Sequence, residues 1–152
     1  MKRFALLRIL LLFLIIGLFG CASINVPGYI QDKHPYERVL YADFQEITDA
    51  SIKILGQLNW EFERSEDPAV FERNFSANDA SLKQTLLLSK VKEFSLYLRK
   101  RSSRVNVLIQ SNTNNSITVQ FRYLKVTAFP FKNFSKYKND KLADKFFDLL
   151  EK

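Results

Sequence analysis

Apolar residues recur every three or four positions from Leu40 onward, which is the spacing of one face of an α-helix. The pattern predicts a helix that begins near Glu37 or Asp43 and ends near Leu55. If the helix begins at Asp43, that side chain and Glu46 can form a capping box. A helix with one apolar stripe needs an apolar surface to cover the stripe, and the sequence that follows predicts a sheet.

Alternation of apolar and polar residues replaces the helical pattern and predicts an antiparallel meander. The first strand contains Trp60 and Phe62. Residues 69–83 show no clean period and are assigned to a loop, with or without one short strand. Turns are predicted at 101–103 and at 112–115, where serine or asparagine clusters. Further strands are predicted within 85–91, 94–98, 105–110 and 117–126.

The end of the meander carries two irregularities. Leu124 and Val126 fall on the opposite parity from Phe121 and Tyr123, so either a bulge occurs near Tyr123 or the strand is covered on both faces. Pro130 cannot donate a hydrogen bond to a neighbouring strand and is predicted to end the ladder.

A second amphipathic helix is predicted at the C-terminus, capped by Asn139 or Asp140. Strands in a run between two helices predict an α+β fold. We expect a single antiparallel sheet of about four to five strands, with the N-terminal and the C-terminal helix packed on one face. This globular domain is predicted to cover residues 36–152. The buried stripe of the second helix is predicted to contain Leu142, Phe146, Leu149 and Leu150.

The first twenty residues have a different pattern, with a positive front and then an apolar run. The front consists of Lys2, Arg3 and Arg8. The apolar run extends from Ile9 to Gly20 and is followed by Cys21, the only cysteine of the chain. An apolar run of about a dozen residues is shorter than the roughly 20 that span a bilayer as a helix. Residues 1–20 are therefore predicted to be an export signal, and an uncleaved membrane segment is the alternative.

The residues Leu18-Phe19-Gly20-Cys21 resemble the lipobox of bacterial lipoproteins, with leucine three positions before the cysteine and a small residue directly before it. Phe19 departs from the smaller residue usual at that position, which bears on the efficiency of cleavage. The resemblance implies cleavage between Gly20 and Cys21, diacylglycerol on the Cys21 thiol, and a fatty acyl group such as palmitate on the new amine. By the same resemblance, alanine in place of aspartate at position 22 favours sorting of the lipoprotein to the outer membrane.

A tether is predicted between the lipidated cysteine and the domain, over residues 21–35. Two prolines, one glycine and no apolar period are typical of an extended connector. Fully stretched, such a connector reaches roughly 55 Å from the bilayer. His34, the only histidine, lies within it and is interpreted as a solvated side chain.

Composition narrows the chemistry of this chain. The 152 residues have a formal net charge of +7, and one cysteine with one histidine cannot form an internal disulfide or a cysteine-rich zinc site. The carboxylate pairs Glu61 with Glu63 and Glu66 with Asp67 are predicted to lie on an outward strand face and in a turn, without a pocket that would raise a pKa. No Gly-x-Ser-x-Gly sequence surrounds a serine. We therefore expect no catalysis, no metal and no cofactor.

Basic residues concentrate at one predicted hairpin and again after an aromatic stretch. Because the chain is predicted to be exported, nucleic acid is not an expected partner. An anionic lipid or an envelope protein suits these charges better. Alternatively, the charges only protect sheet edges from pairing with other chains. The hairpin residues are Lys90, Lys92, Arg99, Lys100, Arg101 and Arg104, and the second set is Lys132, Lys136, Lys138 and Lys141 after Phe129, Phe131 and Phe134.

Together these features predict a non-catalytic lipoprotein of the cell envelope that faces the periplasm. Its membrane contact is predicted to be the lipid anchor, and its domain to act as an accessory, scaffold or interaction module. The alternative is a binding module for an amphipathic or anionic lipid, of the kind that serves outer-membrane or lipopolysaccharide assembly. That alternative needs an apolar groove between the sheet and the helices, with the basic hairpin at its mouth.

Overall fold

The computed structural model describes residues 24–71, 82–96, 99–129 and 132–152. Within these ranges, two helices and seven strands form one α+β domain, and no helix is long and apolar enough to cross a membrane. The elements are β1 Tyr36–Leu40, α1 Phe44–Gln57, β2 Phe62–Glu66, a 3-10 turn Pro68–Val70, β3 Gln84–Ser89, β4 Lys92–Leu96, β5 Arg99–Ser111, β6 Ile117–Phe129, β7 Lys132–Lys136 and α2 Asp140–Leu150.

The sheet is antiparallel throughout and is organised around the long hairpin of β5 and β6. These two strands pair with each other from Lys100 with Ala128 to Ser111 with Ile117. Each of them is long enough to pair with two shorter strands, one after the other, along its outer side. The second half of β5 pairs with β3 and the first half with β4, while β6 pairs first with β1 and then with β7. The turn of this hairpin uses Asn115 at φ 59°, a left-handed conformation that asparagine tolerates.

Both helices pack on one face of the sheet. The Asp43 side chain accepts hydrogen bonds from the backbone amides of Gln45 and Glu46, at 2.8 and 3.3 Å, and so caps α1. After α1 the chain reverses through Asn59 at φ 60°. The apolar cluster between helices and sheet includes Ile47, Ile54, Leu55, Val105, Val107, Ile109, Val119, Phe121, Ala143 and Phe146.

The opposite face of the sheet is covered by the segment that precedes β1. Tyr29 and Ile30 are 7% and 0% exposed. Ile30 packs with Leu124 and Val126, and Ile24 lies against the same cluster. The β6 strand is therefore covered on both faces, and its register with β5 is continuous through Tyr123, so the alternative of a bulge is wrong.

The predicted tether is wrong for residues 24 to 30, because this segment is part of the domain. An extended chain can lie flat on a sheet when the sheet supplies polar partners for its backbone. Arg104 donates to the Pro27 carbonyl at 3.3 Å, and Asn106 donates to the Gly28 carbonyl at 3.0 Å. His34 is exposed, as the sequence predicts.

The α+β class and the two helices on one sheet face are confirmed, but the sheet has more strands than the four to five predicted. β1 occupies residues that the periodicity assigned to the start of a helix, so α1 begins after Asp43 and not near Glu37. The predicted turn at 101–103 is wrong, because these residues continue β5. The ladder also resumes as β7 after Pro130. Of the poorly periodic segment 69–83, residues 72–81 lie outside the described residues.

Candidate interaction surface

Four strand segments project beyond the part of the sheet that the helices cover. We call them the sheet extension: β4, residues 99–103 of β5, residues 125–129 of β6, and β7. Cross-strand partners in a sheet point to the same face. The pairs Lys92 with Ser103 and Ser103 with Lys125 therefore place these side chains on one face. Since Val105, two positions beyond Ser103, lies in the cluster under the helices, this face continues the helix-covered face.

The same register defines every member of this surface, which we call the basic face. It carries six cationic side chains, and among its described residues there is no acidic one. Alternation along each strand sends Glu93 to the opposite face, where its carboxylate lies 3.2 Å from Lys100. The basic face consists of Lys92, Phe94, Leu96, Arg99, Arg101, Ser103, Lys125, Thr127, Phe129, Lys132, Phe134 and Lys136.

Large apolar side chains are interleaved with these cations and are open to solvent. Phe94, Leu96 and Phe134 are 56%, 53% and 50% exposed. Phe129 packs edge-on against Phe134 with ring centroids 5.9 Å apart. The guanidinium of Arg99 lies 5.3 Å from the Phe129 ring centre. An exposed apolar group ringed by cations is typical of a surface that meets a partner.

Lys92 marks the border between the basic face and the core. Its Nζ lies 4.1 Å from the ring centre of Trp60, the buried residue just before β2. Burial of this ammonium lowers the pKa of Lys92. The tryptophan ring in turn packs edge-on against Tyr123, with centroids 6.3 Å apart, so the border is held by core aromatics.

The structure brings together three of the six hairpin cations that the sequence singled out: Lys92, Arg99 and Arg101. Lys100 lies on the opposite face with Glu93. Lys90 lies outside the extension and its ammonium pairs with the Glu61 carboxylate. These last two cations are already partnered by carboxylates of the same domain.

Arg104 is not available to an anionic partner, because it is only 8% exposed. Its guanidinium pairs with the Glu63 carboxylate at 3.0 Å and also holds the Pro27 carbonyl. Glu63 lies 2.5 Å from Arg64 as well, so one of the carboxylates predicted to be solvated is engaged by two arginines. The role of Arg104 is to fix the segment before β1.

The segment before β1 is clamped by further polar and aromatic contacts. Arg122 donates to the Tyr29 hydroxyl and to the Ile30 carbonyl, the latter at 3.4 Å. The Tyr29 ring stacks on Phe71 with centroids 5.1 Å apart. The ammonium of Lys138, in the loop before α2, lies 3.6 Å from the Asp32 carboxylate, so this ion pair links the loop to the segment before β1. Residues 24 to 30 are therefore held against the sheet.

A cavity of about 440 Å³ lies on this same side of the sheet, bordered by the clamped segment. The groove that a lipid-binding module would need, between sheet and helices, is instead occupied by packed side chains such as Phe121 and Phe146, whose centroids are 4.9 Å apart. The cavity and the predicted groove are on opposite faces. Its lining includes Pro27, Gly28, Tyr29, Phe71, Leu124 and Tyr137.

The sequence pattern does not group three cations of the basic face with the hairpin cations: Lys125, Lys132 and Lys136. Lys125 lies two positions after Tyr123, so alternation along the strand predicts that both side chains are on the same face of the sheet. Lys132 and Lys136 were noted after the aromatic stretch, but only the pairing of β7 with β6 places them beside Lys125 and Phe129.

Gly20 and Cys21, the predicted cleavage and lipidation residues, lie outside the described residues. Phe131 does as well. No protein-family model matches this chain, and no curated protein matches it either.

Proposed function

We propose that this chain is a lipid-anchored, non-catalytic protein of the cell envelope, whose α+β domain faces the periplasm and acts as an accessory or interaction module. The observation that carries the proposal is the sequence Leu18-Phe19-Gly20-Cys21 after a positively charged, apolar leader. Two or three acyl chains at Cys21 would give a stable anchor, because each buried methylene contributes about 0.8 kcal/mol. The anchor would lie in the outer membrane.

The start of the packed domain supports an anchor at this position. Ile24 is already in contact with the sheet, so only residues 21 to 23 separate the proposed lipid from the folded chain. At about 3.3 Å per residue, three residues can span at most roughly 10 Å. The domain would therefore stand at the bilayer surface and not 55 Å from it.

The filled core favours the accessory module over a lipid carrier. The space in which an acyl chain would have to lie is occupied by fully buried side chains, among them Leu55, Val107, Phe121 and Phe146. The exposed chemistry is instead on the basic face, which suits contact with a partner surface.

Membrane fractionation of the wild type beside Cys21→Ser tests the proposal. Serine is close to cysteine in size but has no thiol to form the thioether. We expect the wild type in the membrane fraction and resistant to high salt and alkaline carbonate, and the variant as an unprocessed precursor or a soluble form. A matched Ser23→Ala variant should behave as the wild type. Unchanged processing and attachment of Cys21→Ser would refute the lipoprotein assignment.

A further inference from the structure

We propose that the tip of the sheet extension docks on the anionic phospholipid surface of the membrane that holds the anchor. The tip is the outermost cross-strand row of the basic face, with Leu96, Arg99, Phe129 and Lys132. The inference rests on the proposed function, since lipidation of Cys21 supplies the membrane. It goes further by assigning a second membrane contact and an orientation to the folded domain.

Protection of sheet edges does not account for the charges of the basic face. Edge strands carry lysines to discourage pairing with other chains, and β4 and β7 are edge strands here. However, Arg101 and Lys125 lie on β5 and β6 at positions that are paired with a neighbouring strand on both sides. Cations on central strands have no edge to protect, so they need another explanation.

The combination of side chains fits the interfacial region of a bilayer. Phenylalanine and leucine enter the boundary between headgroups and acyl chains, while lysine and arginine extend their charges to the phosphates. Phe134 and its neighbour Lys132 show this pairing, with the ammonium 5.0 Å from the ring centre. Each cation close to an anionic membrane strengthens binding about fivefold.

The path of the chain towards Cys21 leads to the same end of the sheet. Ile24 packs against the cluster that contains Val126, and Val126 pairs with Ser135 of β7 inside the extension. From Val126 to the outermost row at Phe129 is three residues along the strand, or roughly 10 Å. Residues 21 to 23 reach about the same distance. An extension that points at the bilayer therefore allows the acyl chains and the tip to enter it together.

A second copy of this chain is a poor occupant of the basic face. In a two-fold interface the same surface meets itself, and six cations without an acidic residue on that face would repel one another. An anionic lipid surface has the complementary charge. An acidic envelope protein would have it too, and the experiment below separates the two.

The test places a fluorophore at the tip of the full-length, lipidated protein reconstituted in vesicles. Ser95→Cys puts the label beside Leu96 without removing a residue of the basic face, and Thr113→Cys puts it at the far end of the β5–β6 hairpin, about 35 Å away. The vesicles contain either phosphatidylcholine alone or phosphatidylcholine and phosphatidylglycerol at two to one. Bromine-labelled acyl chains in either vesicle quench a label that lies in the interface.

We expect strong quenching at position 95 on the phosphatidylglycerol vesicles, weak quenching there on phosphatidylcholine, and none at position 113. Arg99→Gln with Lys132→Gln should lower the docking equilibrium about 25-fold. Lys53→Gln with Lys141→Gln removes the same charge from exposed helix positions and should change nothing. Equal quenching at both label positions, or equal effects of the two charge pairs, would overturn the proposal.

Two further outcomes are distinguishable. If the label at Ser95 is open to solvent on phosphatidylglycerol vesicles but shielded in native envelope membranes, a protein covers the face and the proposal is wrong. Failure of the anchor has its own signature: the wild type would take up a thiol reagent, because Cys21 is the only cysteine and lipidation consumes its thiol. A protein with blocked Cys21 that shows no quenching would leave the anchor intact and refute the docking alone.

Discussion

Replacing Ile30 by alanine tests whether the segment before β1 is part of the folded domain. Ile30 is fully buried against Leu124 and Val126 on the face of the sheet that the helices do not cover. The substitution keeps the backbone carbonyl that accepts from Arg122, so it removes packing and leaves that hydrogen bond in place. A free tether would not respond to the loss of one side chain.

The size of the effect follows from the groups removed. Isoleucine loses three carbon groups on conversion to alanine, and each contributes about 0.8 kcal/mol when buried. Because strand residues on the rigid β5–β6 hairpin cannot collapse into the space, a cavity penalty adds to this. We expect the free energy of unfolding to fall by about 2.5 to 4 kcal/mol, which lowers the melting temperature by roughly 8 to 15 °C.

The assay is thermal and denaturant unfolding of the full-length protein in detergent, followed by circular dichroism. Val70→Ala is the matched control, since Val70 is 73% exposed and its truncation should cost less than about 0.5 kcal/mol. If Ile30→Ala melts with the control and the wild type, the segment does not pack on the sheet. The short link between Cys21 and the domain would then be wrong as well.

Three other substitutions test the core, the first helix and an alkaline transition. Phe121→Asp places an unpaired carboxylate at a fully buried position and should prevent folding, seen as loss of the cooperative melting transition. Asp43→Ala removes two hydrogen bonds to the first turn of α1 and should lower stability in urea by about 1 kcal/mol. Desolvation and the hydrogen bond to Asp140 raise the pKa of Tyr36 to about 12 from its usual 10. Because the folded pKa is the higher one, this stabilisation is complete below pH 10 and is lost between pH 10 and 12. Urea unfolding at pH 9 and pH 11 should therefore show a smaller loss of stability in Tyr36→Phe than in the wild type.

The helices were predictable because their signals are local. The apolar stripe of α1 and the N-cap at Asp43 are both visible in one stretch of sequence, and the structure confirms them. The second helix follows Asn139 and buries Phe146, but the Asn139 side chain makes no hydrogen bond to the first turn, so the predicted side-chain cap at Asn139 is wrong. The alternation of the central strands also predicted which residues face the helices, as Val105 and Phe121 show.

The edge strands were not predictable from alternation, because little of their surface is buried. All residues of β7, Lys132–Lys136, are exposed, so nothing in their polarity marks a strand. β1 is mostly exposed as well, and its Leu40 continues the helical spacing of α1 by coincidence. Both strands exist because the long strand β6 offers the backbone groups of its outer side to β1 along one half and to β7 along the other.

The packing of the segment before β1 depends on residues far away in sequence. Pro27 and Gly28 suggest a connector when read locally. Their carbonyls are bound by Arg104 and Asn106, which come more than seventy residues later. The same holds for the site, because the position of Arg104 in the sequence does not indicate that its guanidinium pairs with Glu63.

The basic face required the same long-range information. In the sequence, the hairpin cations and the later aromatic stretch form two separate sets. Strand pairing joins Phe94 to Arg101 and Thr127 to Phe134 in one row, and so merges the two sets on a single surface. The register also places Lys100 on the opposite face of the sheet, beside Glu93, and the number of charges in the hairpin does not indicate this.

The intact mass of the protein purified from membranes tests the central assignment most directly. We expect a chain that begins at Cys21, with added mass for two or three acyl chains, and we expect proteolytic digestion to place the added mass on the N-terminal peptide. A chain of unmodified mass that retains residues 1–20 would contradict it, because the N-terminus would then be an uncleaved membrane segment without a lipid.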